Sequence, residues 1–197
     1  MLIVLEGLDG SGKTTQTAKL VDWLKATGRD VAMFDFPGYD LSPFGNIIGK
    51  YLKGEFCDPV THDPFASTLL FAGDRLNKRA EINAALREGK FVIINRYVPS
   101  NIAYSVAKLR LQNRADEIPR FIKFNEQLEY ANILREPMLN FFSRYELLGM
   151  PKPDCIIFLD VTPAKAEALI NARPTDSRSY LVDQTDHKDK LHVKSVF

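Results

Sequence analysis

The chain has 197 residues, 45% of them apolar, and its 26 Lys and Arg against 25 Asp and Glu leave a formal net charge of +1. That length suits one sizeable core and one domain, and the balanced charge excludes the basic excess that drives binding to nucleic-acid backbones, so no nucleic acid is expected as a partner. The apolar start Met1 to Leu5 is closed at once by Glu6, and no later run approaches ~20 apolar residues; no membrane association is expected, and the expected setting is cytoplasmic.

Four nearly continuous apolar runs read as strands: Leu2 to Leu5, Val31 to Phe36, Phe91 to Ile94 and Cys155 to Leu159. Strands buried on both faces look like this, and helical patterns separate every pair, so the expected fold is a three-layer α/β domain with a parallel sheet covered by helices on both faces. Between the first run and a helix from Thr15 to Thr27 stands Gly7-Leu8-Asp9-Gly10-Ser11-Gly12-Lys13-Thr14, a complete G-x-x-x-x-G-K-[ST] phosphate loop in its strand-loop-helix context. Gly7, Gly10 and Gly12 let the backbone turn successive N–H groups inward at the positive end of the helix, an anion cradle to which Ser11 and Thr15 belong. Lys13 supplies a point charge for the β- and γ-phosphates and the Thr14 hydroxyl is placed for Mg²⁺, so ATP or GTP is the expected ligand.

Thr17, Val21 and Leu24 mark the inner face of that first helix, and Gly28 closes it. The second strand runs into Asp35-Phe36-Pro37-Gly38-Tyr39, which turns the chain outward at the carboxyl edge where parallel sheets keep their ligands. A short helix from about Phe44 to Lys53 precedes a longer one from Pro64 to Glu88. On the latter, Phe65, Leu69, Ala72, Leu76 and Ala80 form one apolar stripe, expected to be the core face. Phe71 and Arg75 lie at i, i+4 away from it, an arrangement suited either to a planar ligand stacked on the ring and hydrogen-bonded by the guanidinium or to a solvated phenylalanine packed with its alkyl neighbour.

The third strand ends in Asn95-Arg96-Tyr97, so Arg96 is expected to face phosphate; the next helix starts near Ser100 and carries Tyr104. From Asp116 to Leu148 the apolar pattern predicts one helix bent at Pro137 or two helices, with enough apolar surface for core packing or a homodimer interface. After the fourth strand, Thr162 is an N-cap with Pro163 at the first helical position, and Asn171 to Arg178 reads as a mobile lid. Cys57 and Cys155 are assigned no role, Cys155 being read as a small buried side chain. His62, His187 and His192 lack metal spacing and read as surface residues.

The phosphate loop, the Phe36-Pro37 pair, Phe71-x-x-x-Arg75, Arg96-Tyr97 and Pro151-Lys152-Pro153-Asp154, in this order and spacing, resemble the thymidylate kinase family of P-loop nucleoside monophosphate kinases over roughly Leu2 to Tyr180, with extra sequence near Ala131 to Tyr145. The resemblance implies phosphorylation of dTMP to dTDP by Mg·ATP, a step of dTTP biosynthesis. It implies that Phe71 stacks on thymine, Arg75 hydrogen-bonds the base, Asp9 contacts the sugar 3′-hydroxyl and Tyr104 crowds the 2′ position. Ser100 and Asn101 then lie on the base side, Phe36 belongs to the substrate site, and Arg96 holds the acceptor phosphate. The family takes a catalytic arginine from the phosphate loop or the lid; with Gly10 and Ser11 in the loop, Arg173 and Arg178 are the candidates.

Three departures accompany the resemblance. Asn95 stands where the family usually has a metal-associated Asp, Gly38 and Tyr39 replace an arginine that commonly follows the Phe-Pro pair, and the chain ends at Phe197, before the family's last strand and helix, which reads as truncation. Two competing readings follow: a deoxynucleoside kinase, which would need Asp35 as the base, and a nucleotide-binding member impaired in catalysis.

Overall fold

The computed structural model describes residues 1–39, 41–130 and 149–172. Along the chain run β1 (Leu2–Gly7), α1 (Lys13–Ala26), β2 (Val31–Asp35), α2 (Pro43–Leu52), α3 (Pro64–Arg87), β3 (Phe91–Asn95), α4 (Val98–Leu111), α5 (Ile118–Tyr130), β4 (Cys155–Leu159) and α6 (Pro163–Asn171), with a 3-10 turn at Ala115–Glu117. The strands form one parallel sheet in the order β2-β3-β1-β4, so all four carboxyl ends open on the same edge. This is the expected α/β fold, each apolar run having become a strand.

Period-two alternation divides the central strands between two cores. Leu2 and Val4 of β1 with Val92 and Ile94 of β3 pack with Ile82, Ala85 and Val98, on the α3 and α4 side. Ile3, Leu5 and Ile93 point the other way, onto Val21 and Leu24 of α1. Each such buried aliphatic side chain contributes roughly 1.5–3 kcal/mol. The outer strands depart from the expectation of burial on both faces: Ile156 and Phe158 of β4 are about half exposed, as is Met33 of β2. An apolar run fixes strand propensity but not how many faces are covered, and among the described residues the helices pack mainly on the two central strands.

The ends of the helices follow from local chemistry. Gly28, at φ +76°, follows the last turn of α1, with Arg29 N–H donating to Leu24 O (3.0 Å). Ser42, Asp63 and Thr162 each accept a backbone N–H at the start of α2, α3 and α6, followed in each case by proline.

Helix α3 corrects the wheel reading. Leu69, Leu76 and Ala80 of the apolar stripe are exposed and Phe65 is partly buried, whereas Thr68, Asp74 and Arg75 are buried beside Ala72. The buried face is polar because each of those side chains meets a partner from another element, and hydrophobic periodicity cannot register such pairing. Cys57, Cys155 and His62 are all partly buried, His62 packed edge-on to Tyr51 (5.7 Å). The region 131–148, including Pro137 and most of the surface considered for a dimer, lies outside the described residues, as do His187, His192 and the lid from Arg173 onward.

Lys108 of α4 is buried, donates from Nζ to Tyr51 Oη (2.6 Å) and has its pKa pushed down from 10.5 to about 8 by desolvation. Between pH 8 and 10.5 the unfolded chain therefore holds more protons than the folded one. Stability rises with pH across that window, and the charge penalty is fully present below it. Lys108→Met is expected to raise stability at pH 7 by up to about 3 kcal/mol, because Tyr51 Oη still donates to Pro59 O (3.1 Å). Urea unfolding at several pH values checks this, and the advantage should fade as the pH approaches 10.5.

Candidate active site

The carboxyl edge gathers the loops after β1, β2 and β3. Gly10 and Gly12 adopt φ +82° and +89°, the left-handed region that favours glycine, and Gly12 forms the N-cap of α1. A Cβ on Gly10 would lie 2.4 Å from Ala166 O, so the loop packs directly on α6. Gly7 ends β1, and Thr14 and Thr15 are exposed at the start of α1, whose first turn carries no acidic residue. The helix thus presents an unopposed positive end. Lys13 is buried with Nζ donating to Gly7 O (3.0 Å) and Leu8 O (2.6 Å), which holds the ammonium inside the loop. Ser11 Oγ is buried without a hydrogen-bond partner.

Asp9 of the loop is met by two residues from across it, Arg96 and Tyr104. Arg96, just after β3, occupies φ 64°, a conformation that costs a non-glycine residue roughly 1–2 kcal/mol. Its Nη2 donates to Asp9 Oδ1 in an ion pair, Tyr104 Oη of α4 donates to Asp9 Oδ2 (2.9 Å), and the guanidinium lies 5.8 Å from the Tyr104 ring centre. Asp9, Arg96 and Tyr104 are thus brought together, with both charged side chains partly exposed.

The other expected residues meet protein partners of their own. Arg75 is buried on α3, with Nε donating to both carboxylate oxygens of Glu129 on α5 (3.1 and 3.2 Å) and Nη2 to Oε1. Burial alone would lower the Arg75 pKa, but Glu129 more than offsets it and the guanidinium is held charged. The Ser100 hydroxyl donates to Glu6, whose carboxylate also receives the backbone N–H of Tyr97 (2.8 Å) and Ser100 (3.2 Å) at the start of α4. Buried Asn101 donates to Thr68 Oγ1 (2.5 Å), which Asn125 also meets at 2.5 Å. Phe36 is a core residue, 4% exposed, packed near Tyr97. Phe71 is partly buried, edge-on to Tyr51. Arg173 and Arg178 lie outside the described residues.

Sequence reasoning missed three buried carboxylates that hold the site's walls: Glu6, Asp74 and Glu129. Asp74 accepts the Gly38 N–H (2.9 Å) and the Ser42 hydroxyl (2.6 Å), tying the turn after Phe36-Pro37 to α3. Glu6, closing an apolar strand, was the one visible signal. At the end of β2, Asp35 is exposed, yet surrounding protein desolvates the carboxyl enough to raise its pKa from 3.8 to about 6, against the lowering effect of the Asn95 side chain and Lys13.

Among the described residues no group of three or more His, Cys, Asp or Glu could cage a metal ion. Mg²⁺ usually binds through nucleotide phosphates and few protein ligands. The residues fit such a visitor: Thr14 is exposed beside the loop, and Asn95 Oδ1 is a buried acceptor without a hydrogen-bond partner.

A phosphate loop at the head of a parallel sheet, with cationic side chains converging on it from the next strand, defines a P-loop kinase fold. The family described as thymidylate kinase matches residues 5–120, and the chain belongs to that family. It is 36% identical to thymidylate kinase of Mycobacterium tuberculosis over 162 residues, 82% of this chain and 66% of that protein. It is also 36% identical to a probable thymidylate kinase of Pyrobaculum calidifontis over 174 residues, 88% of this chain and 70% of the relative. Among solved structures, thymidylate kinase from Candida albicans superposes with a TM-score of 0.67 at 26% identity, covering 99% of this chain and 75% of that one. The chain spans about two thirds of the mycobacterial relative and half of an Arabidopsis thaliana one.

Proposed function

We propose that the protein transfers the γ-phosphoryl group of ATP to dTMP, giving dTDP and ADP. The observation that carries this reading is the convergence of the Lys13 loop with Asp9, Arg96 and Tyr104 at one carboxyl edge. Gly7, Gly10, Ser11, Gly12, Thr14 and Thr15 bind the ATP phosphates through the loop and the first turn of α1. Arg96 orients the acceptor phosphate, Asp9 takes the sugar hydroxyl, and Tyr104 fills the space beside the 2′ carbon. Phe71 stacks on the base and Arg75, aimed by Glu129, reads its edge. Phe36, Ser100 and Asn101 support this pocket from behind.

Thr14 and Asn95 would hold Mg²⁺, which when bound neutralises phosphate charge and aligns the β- and γ-groups. The acceptor oxygen belongs to a phosphate already ionised near neutral pH, so no general base is needed and catalysis is positioning plus electrostatic stabilisation. Lys13 and Arg96 meet the charge that spreads over the transferring group, and Arg173 and Arg178 complete that role from the lid. The reading also includes a cytoplasmic homodimer; the exposed Leu69 and Leu76 on α3 offer an apolar surface for it.

Incubating the protein with Mg·ATP and, separately, dTMP, dUMP, dGMP, dCMP or thymidine tests this. Diphosphate is expected fastest from dTMP. Phosphorylation of thymidine alone would replace the reading with a nucleoside kinase, and nucleotide binding without any turnover would replace it with a binding protein.

A further inference from the structure

Resting on that reading, one carboxylate at the edge has no assigned part. Among the described residues, the ends of β1 and β2 and the loop before α1 carry three acidic side chains. Glu6 is occupied by two backbone N–H groups and a hydroxyl from α4, and Asp9 by Arg96 and Tyr104. Asp35 is the third, the last residue of β2 and exposed. It stands in register with Asn95 on β3, which in turn pairs with Leu5 on β1, two residues before the phosphate loop. Its side chain interacts with the Asn95 amide and feels the charge of Lys13. Asn95 is 4% exposed, and its Oδ1 has no hydrogen-bond partner.

A hard divalent cation on a nucleotide needs oxygen ligands, directly or through its waters, and benefits from a nearby anion. Asn95 contributes oxygen without charge. Asp35, one strand over at the same level of the sheet, contributes the charge. We propose that Asp35 is the carboxylate that anchors the hydrated metal of the Mg·ATP complex, acting with Asn95 as a split acid–amide pair. Neither residue alone is sufficient: the amide lacks charge, and the carboxylate, set on the outer strand, depends on Asn95 for its orientation.

The test measures Mn²⁺ binding to the protein–AMPPNP complex by electron paramagnetic resonance, with AMPPNP affinity measured separately without metal. Asp35→Asn is expected to weaken Mn²⁺ roughly tenfold to hundredfold, the usual effect of removing a supporting group at a metal, while metal-free nucleotide binding changes less than about twofold. The exchange variant Asp35→Asn with Asn95→Asp, which restores one carboxylate at the other strand, is expected to recover most of the Mn²⁺ affinity and dTDP formation. Unchanged Mn²⁺ affinity in Asp35→Asn, with the unaltered protein still making dTDP, overturns this inference alone. Loss of thymidine phosphorylation with unchanged Mn²⁺ affinity overturns it in favour of a catalytic base. An unaltered protein that neither binds Mn·AMPPNP nor makes dTDP overturns both the inference and the functional reading beneath it.

Discussion

Glu129→Ala is expected to destabilise the protein by about 3–5 kcal/mol, the cost of leaving one partner of a buried ion pair uncompensated. Arg75 and Glu129 are 3% and 0% exposed, and the pair joins α3 to α5. Removing the carboxylate leaves a buried guanidinium without its counter-charge. Removing both charges tells a different story: Arg75→Met with Glu129→Leu should recover much of the loss, since a hydrophobic pair of similar volume often matches a buried ion pair in stability. Urea unfolding of the two single variants and the double variant measures this as a coupling energy. A loss below 1 kcal/mol in Glu129→Ala would show that the pair does not anchor the helices. The double variant, stable but without a base-reading guanidinium, should also bind dTMP more weakly, which separates folding from recognition.

Arg96→Ala is expected to lower kcat for dTMP by roughly 10²–10³-fold, the scale of removing one preorganised group that stabilises transition-state charge. The side chain is positioned three ways: by its backbone at φ 64°, by the Asp9 carboxylate and by the Tyr104 ring. Lysine is not an adequate replacement, because a point charge cannot reproduce the planar fork, and Arg96→Lys should recover only a small part of the rate. Alanine still occupies a left-handed conformation there, so no gain in stability is expected to mask the kinetic loss. Steady-state rates with dTMP varied at saturating Mg·ATP give both constants; an unchanged kcat would remove Arg96 from the phosphoryl-transfer site.

The elements were legible in the sequence because their signals are local. Val4 and Ile94 sit in apolar runs, and Gly28, Ser42 and Thr162 mark helix ends through backbone chemistry confined to a few neighbours. The phosphate loop was legible for the same reason, its glycines and Lys13 acting within one turn of chain. The site's far wall was read only in part. Asp9, Arg96 and Tyr104 converge, while Arg75 is paired with Glu129, 54 positions away, and Ser100 is engaged by Glu6, 94 positions away.

The sequence by itself determined the strands, the anion-binding loop and the order of the motifs that place this chain in its family. Each rests on propensity, hydrogen bonding or charge within a short segment. Only the tertiary structure decided that α3 buries Thr68, Asp74 and Arg75 and exposes Leu69 and Leu76, that β4 is half open, and that Asp35 stands beside Asn95. A polar side chain enters a core only when a partner meets it there, and a strand gains a neighbour only through the topology of the whole sheet. Those partners come from distant parts of the chain, and no local pattern announces them.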